Sequence, residues 1–313
     1  MTLQIRLDEP SAFDCIAEVL LPLGGITAVI VEAYFDESSG SANAMQPDGV
    51  GAPCKILCVA GYLFENEKRK QLEREWNEVL AWKNLPYFHM VDCAHRNGPF
   101  ANLSKPECIQ VEARMIGIIK RYAIKGFVIG LNEDQYRLFM PVRYPLAGEP
   151  YTFCVQGAIG AITAWANQAS YSGEIAYFFE SGHQSQGQSN QLMAKIFADP
   201  GLKEMTRYAG HAFVEKRGTP GAQAADLLAW QFYTDIRRQM ERIRAGRRKD
   251  LESLLAHDHE ATYVSPWIMV RIAKAWGYDT AKAEALLQGV FGDDYPQTGT
   301  IDFAAVNAFW RLS

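Results

Sequence analysis

From residue 26 onward the chain alternates short apolar runs with longer stretches in which apolar residues recur every three or four positions. Residues 26–35, rich in Val and Ile, predict a strand buried on at least one face, and the continuously apolar run 55–64 predicts a central one. Shorter strands are expected at 87–91, 126–131 and 174–179, with an edge strand at 211–215. Over 65–83, Leu72, Trp76, Val79 and Leu80 share one helical face and leave a Glu-Lys-Arg surface to solvent. Further helices are predicted over 105–122, with Pro106 near its start, and over 151–168, 190–197 and 221–243. A short helix over 11–21 is stopped by Pro22 and Gly24-Gly25, and the chain from Leu251 reads as helical with stops at Gly277 and Gly292. A Gly-, Pro- and Asp-rich loop is expected to run from Gly40 to Pro53. Strands come first and then alternate with helices. The expected fold is therefore α/β, a mixed sheet covered by helices on both faces. It is expected to comprise an N-terminal extension (1–25), one compact domain (26–249) and a helical C-terminal elaboration (250–313).

Composition adds boundaries to this picture. The 313 residues are 48% apolar and 21% charged, enough for a sizeable core. A net charge of −5 exerts no global pull on nucleic acid or acidic lipid, so any anion must be held by a local patch. The most membrane-like stretch, 16–35, contains Glu18, Pro22 and Glu32 and does not make an apolar span. Asp8 and Glu9 near the start are wrong for a signal peptide. The six cysteines have neither zinc-knuckle nor redox spacing and read as reduced thiols, so a cytoplasmic protein with no membrane partner is expected.

Three acids resist explanation by patterning. Asp36 follows the apolar run Val-Glu-Ala-Tyr-Phe, Glu180 follows Ile-Ala-Tyr-Phe-Phe, and Asp226 lies within Gln-Ala-Ala-Asp-Leu-Leu-Ala-Trp. Burying an unpaired carboxylate costs several kcal/mol, so each needs a partner. Singly they read as a turn cap, a solvated strand end and a buried acceptor. Together, two strand ends and a helix over the same sheet can bring them to one point, where a cation must offset their repulsion. Hard oxygen ligands suit Mg²⁺ or Mn²⁺, and such a site supports in-line phosphodiester hydrolysis.

Tyr34-Phe35-Asp36-Glu37-Ser38, Phe88-His89 and Gln223-Ala224-Ala225-Asp226-Leu227-Leu228-Ala229 together resemble the domain-of-unknown-function family 3800. Val59-Ala60-Gly61-Tyr62-Leu63 and Phe178-Phe179-Glu180 also fit its pattern, and the resemblance spans roughly residues 28 to 240. It implies a ribonuclease H-like fold, a mixed five-stranded sheet flanked by helices, with Asp36, Glu180 and Asp226 around one or two divalent ions. Where related folds often place another acid, this chain has Asn132 followed by Glu133 and Asp134.

Other residues enter around these. Glu37 adjoins Asp36, but neighbours on a strand point to opposite faces, which sets it apart unless a turn intervenes. His89 and Asp92 read as a structural histidine with its acid, or as a general base or outer metal ligand beside the site. Gln223 shares a helix face with Asp226 and could orient that carboxylate or a substrate phosphate, and Lys216 and Arg217, just before the helix, could meet phosphate. Arg237 and Arg238 open the one concentrated basic stretch, running to Lys249, which could hold a nucleic-acid backbone or simply face solvent. The expectation is a metal-dependent nuclease or phosphodiesterase. The rivals are a non-catalytic module binding nucleic acid or protein, and a hydrolase of small phosphorylated molecules.

Overall fold

The computed structural model describes residues 30–45, 51–140, 148–182, 186–243, 246–275 and 278–291. The helix expected over 11–21, the start of the first strand and the stops at Gly277 and Gly292 lie outside these residues.

Among the described residues six strands form one mixed sheet in the order β5-β4-β1-β2-β3-β6. β1 (Val31–Met45) pairs antiparallel with β2 (Gly51–Glu65), and β2 antiparallel with β3 (Lys125–Asn132). On the other side of β1, β4 (Ile175–Glu180) and then β5 (Tyr208–Val214) add in parallel, and β6 (His259–Val264) lies parallel to β3. The helices in chain order are α1 (Asn66–Trp82), α2 (Met90–His95), α3 (Lys105–Tyr122), α4 (Glu133–Phe139), α5 (Pro150–Gln168) and α6 (Gln186–Ala198). They continue as α7 (Pro200–Met205), α8 (Pro220–Met240), α9 (Lys249–Leu255), α10 (Pro266–Ala275) and α11 (Ala281–Phe291).

Alternation along the strands splits the core in two. Tyr34, Cys58, Ala60 and Tyr62 pack under α1, α3, α8 and α9. Phe35, Leu57, Val59 and Ile129 pack under α5, α6, α10 and α11 on the other face. Both faces of β3 are covered, which explains its unbroken apolar run. α3 begins where its sequence says it should. Ser104 and Glu107 form a reciprocal capping box, with Pro106 in the first turn.

Three expectations are corrected. The sheet has six strands where five were expected, because His259–Val264, in a segment read as helical, pairs with β3. Its half-buried Thr262 and Tyr263 and buried Val264 suit a strand, and the pairing closes an edge that would otherwise expose unpaired backbone. The loop expected from Gly40 to Pro53 is mostly strand, since β1 continues to Met45 and β2 starts at Gly51. Ladder pairing of the two strands to each other outweighs the weak propensity of Ser39, Gly40, Ser41 and Asn43. Residues 87–91 do not form a strand. The backbone amides of Phe88 and Met90 donate instead to the side chains of Gln223 and Asp226.

Candidate metal centre and its built-in ammonium

Asp36 lies inside β1, not at its end. What stops there is the pairing with β4, whose last partners are Phe35 and Phe179. From Asp36 onward β1 keeps β2 on one side only, and Glu180, the last residue of β4, stands beside the opened edge. Alternation turns Asp36 toward α8 and Glu37 toward the opposite face, the geometry that sets Glu37 apart on a regular strand. With no strand along that edge, both side chains reach round it. One carboxylate oxygen from each of Asp36, Glu37 and Glu180 lies within 4.8 Å of the others. Glu37 thus belongs to the cluster, and its signal is the change from apolar to polar residues along β1 at position 36.

α8 supplies the other wall. Its residues are buried continuously from Pro220 to Ile236, as expected of a helix pressed across the middle of a sheet. Gly221 permits the approach, because a Cβ there would fall 2.7 Å from the Tyr34 ring. Close contact of this first turn with β1 sets Gln223 and Asp226 over the sheet.

Lys216 occupies the middle. It lies in the 3₁₀ turn Lys216–Gly218 just before α8, with its side chain only 13% exposed. Its ammonium nitrogen is 2.9 Å from Asp36 Oδ2, 3.0 Å from Asp226 Oδ1 and 3.1 Å from Glu180 Oε1. Any two of those oxygens are therefore within about 6.2 Å, twice the longest of these distances. The three acids singled out in the sequence do meet. Lys216, expected at a substrate phosphate, is the residue on which they converge.

Asp226 differs from the other acids. Its Oδ1 accepts from Lys216, and its Oδ2 accepts from the Met90 amide at 2.6 Å, so both oxygens are engaged. It anchors the lysine and the start of α2, and it is not among the acids whose oxygens group together. Gln223 is corrected more fully. Its Oε1 accepts from Trp76 Nε1 and Phe88 N, both at 2.8 Å, and its Nε2 donates to the carbonyls of Lys216 and Arg217. Only 1% exposed, it has no polar atom left for a phosphate and instead grips the backbone that carries Lys216. His89 stands at the N-cap position of α2 without a side-chain cap, its Nδ1 3.0 Å from Asp92 Oδ2 and its Nε2 3.9 Å from Asp226 Oδ1. Asn132 caps α4 through the amides of Asp134 and Gln135, and Asp134 accepts from the Lys55 amide.

Burial governs the electrostatics. It drives the Asp36 carboxyl well above the usual range, helped by a hydrogen bond to Glu180 and opposed by Lys216. At Glu180 burial opposes ionisation, but the Asp36 hydrogen bond and the Lys216 charge outweigh it and lower its pKa. Glu37 is raised to about 7 by burial and then by the negative Glu180. Lys216 is disfavoured by burial, yet Asp226, Asp36 and Glu180 raise its pKa strongly, so it stays charged. Among the described residues, no donor reaches the buried Glu37 Oε2 with hydrogen-bond geometry, and the equally buried Asp36 Oδ2 meets the Lys216 ammonium as an ion pair. Either a proton or a cation relieves that arrangement, and oxygen donors of this type suit Mg²⁺ or Mn²⁺.

A cleft of about 430 Å³ opens beside Glu37, lined also by Lys55, Glu133, Arg137, Tyr151 and Gly182. The basic stretch stands apart. Arg237 and Arg238 lie about three turns along α8 from Asp226, roughly 17 Å away. Much of its charge is matched internally. Arg237 faces Glu241, Arg247 faces Asp235, Arg248 binds Asp250, and Arg238 donates to the Gly246 carbonyl. Arg244 is outside the described residues.

Together these features make an α/β protein with a buried carboxylate cluster able to hold a metal ion. No protein-family model matches the chain, and no curated protein matches it. Among the described residues no helix is long and apolar enough to cross a membrane, and Cys54, Cys58, Cys93, Cys108 and Cys154 are free and buried.

Proposed function

We propose that this chain is a divalent-metal-dependent nuclease or phosphodiesterase of the ribonuclease H-like kind, related to the domain-of-unknown-function family 3800. The observation that carries the reading is the group formed by Asp36, Glu37 and Glu180, in which the buried Glu37 Oε2 has no hydrogen-bond donor and Asp36 Oδ2 is met by the Lys216 ammonium. These three residues would hold Mg²⁺ or Mn²⁺, which when bound supplies an activated water and neutralises charge on phosphoryl oxygens. His89, fixed through Nδ1 by Asp92 and with Nε2 3.9 Å from Asp226 Oδ1, would accept a proton from the attacking water. In that reaction the water oxygen would add to phosphorus, the P–O ester bond would break, and the leaving oxygen would collect a proton from solvent. Arg237 and Arg238 would meet the nucleic-acid backbone as it runs on from the site.

A second reading, a metal-dependent hydrolase of small phosphorylated molecules, is favoured by the cleft beside Glu37. Its volume is that of a small-ligand pocket.

Calorimetric titration with Mn²⁺, run beside cleavage assays on single- and double-stranded DNA, RNA and a chromogenic phosphodiester, tests the proposal. The wild type should bind Mn²⁺ and cleave at least one substrate, and Asp36→Asn and Glu37→Gln should do neither. Equal binding by all three proteins, or none, would remove the metal site. Binding with no cleavage would favour the non-catalytic module.

A further inference from the structure

Resting on that reading, we propose that the centre holds one divalent ion and that Lys216 takes the part of a second cation, binding a phosphate oxygen of the substrate. Two-metal sites need ligands for two ions about 3.5–4 Å apart, with free oxygens directed at each. The acids here divide unequally. Asp36, Glu37 and Glu180 form one group whose oxygens lie within 4.8 Å of one another, and in it Glu37 Oε2 has no hydrogen-bond donor. Asp226, the acid left for a second ion, has one oxygen on Lys216 and the other on the Met90 amide. A second ion at Asp226 would have to displace that amide and leave a buried N–H without an acceptor.

The ammonium is built into place. Its nitrogen stands within 3.1 Å of oxygens from three elements, β1, β4 and α8. Gln223 fixes the Lys216 carbonyl at 2.9 Å and is itself held by Trp76 and the Phe88 amide. The lysine is thus supported from its backbone to its charge, unlike a surface lysine, which swings freely. Asp226 keeps one N–H of the ammonium. The N–H groups directed at Asp36 and Glu180 turn to a phosphate oxygen once those carboxylates have another cation. Lys216 is on this account a catalytic residue, and Asp226 and Gln223 are positioning residues.

The test counts metal on the full chain. Calorimetry and electron paramagnetic resonance with Mn²⁺ should show one ion per chain and no exchange-coupled pair. Asp226→Asn, which keeps an acceptor for Met90, should still bind one Mn²⁺ with about a 10–100-fold loss of affinity, as for a partner outside the ligand set. Asp36→Asn and Glu37→Gln should lose binding altogether. With Mn²⁺ saturating, Lys216→Met should lower kcat by about 100-fold, the scale for deleting one charge-stabilising donor, and Lys216→Arg should recover part of it. Two Mn²⁺ per wild-type chain, or loss of Mn²⁺ binding in Asp226→Asn, would overturn the assignment while leaving the metal-dependent reading intact. Absence of Mn²⁺ binding by the wild type would overturn both. Asp226→Asn keeps the stoichiometry decisive even if Lys216→Met folds poorly.

Discussion

Replacing Glu37 with Gln removes a charge from the centre with little change of shape, and its effect should depend on pH in a defined way. In the folded protein burial, and then the negative Glu180, push this carboxyl from 4.5 up to about 7. Between those values the folded chain keeps a proton that the unfolded chain has already released. The folded state then binds more protons, so stability falls as pH rises through this window. Moving this carboxyl from 4.5 to about 7 corresponds to roughly 3 kcal/mol, most of it lost by about pH 8. The Gln variant does not titrate. Urea unfolding in chelator at intervals from pH 4.5 to 8 should show the variant gaining about 3 kcal/mol on the wild type. Glu112, raised to about 8 by burial, tilts both curves alike and cancels in the difference. Parallel curves would refute the electrostatic account of Glu37. Mn²⁺ should reverse the sign for the wild type alone, because coordination requires the ionised carboxylate and strengthens as pH rises.

Gln223→Ala strands the Trp76 indole N–H and the Phe88 amide inside the protein, and should cost at least about 3 kcal/mol in urea unfolding while weakening Mn²⁺ binding. Gly221→Ala pushes a methyl into the Tyr34 ring and should destabilise by about 1–3 kcal/mol, seen as a lower Tm. Gly160→Ala, in the middle of α5 with nothing within 4 Å of the added carbon, should instead stabilise by about 0.5–1 kcal/mol. If nucleic acid is the substrate, Arg237→Gln with Arg238→Gln should leave cleavage of a small phosphodiester unchanged. The same pair should flatten the salt dependence of oligonucleotide binding by about 0.7–0.9 for each phosphate that is no longer neutralised.

Much of this architecture is legible because it is local. Alternation and apolar runs mark β1, β2, β3 and β4, the three- and four-residue spacing marks α1, α3 and α8, and Ser104 with Pro106 and Glu107 marks where α3 begins. Asp36, Glu180 and Asp226 stand out because each interrupts an apolar setting, and they do gather around one nitrogen. Residues 87–91 read wrongly as a strand because their apolar content suits one, whereas their amides are claimed by Gln223 and Asp226, more than 130 residues away. Periodicity carries no information about such a partner.

Hydrophobic spacing alone fixes the α/β class, which acids lie in apolar surroundings, and which helix is buried enough to carry one of them to the sheet. Each segment displays that spacing without its neighbours, so these properties can be read before any of them pack. How the acids divide is settled by the assembled fold. Where β4 leaves β1 is a matter of strand pairing, and that opening brings Glu37 round to Asp36 and Glu180. The placement of Lys216 depends on Gln223 holding its backbone and on charges from three separate elements. Electrostatic energy falls off with distance in space, not along the chain, so the partner that neutralises a buried acid appears only once the fold has brought it there.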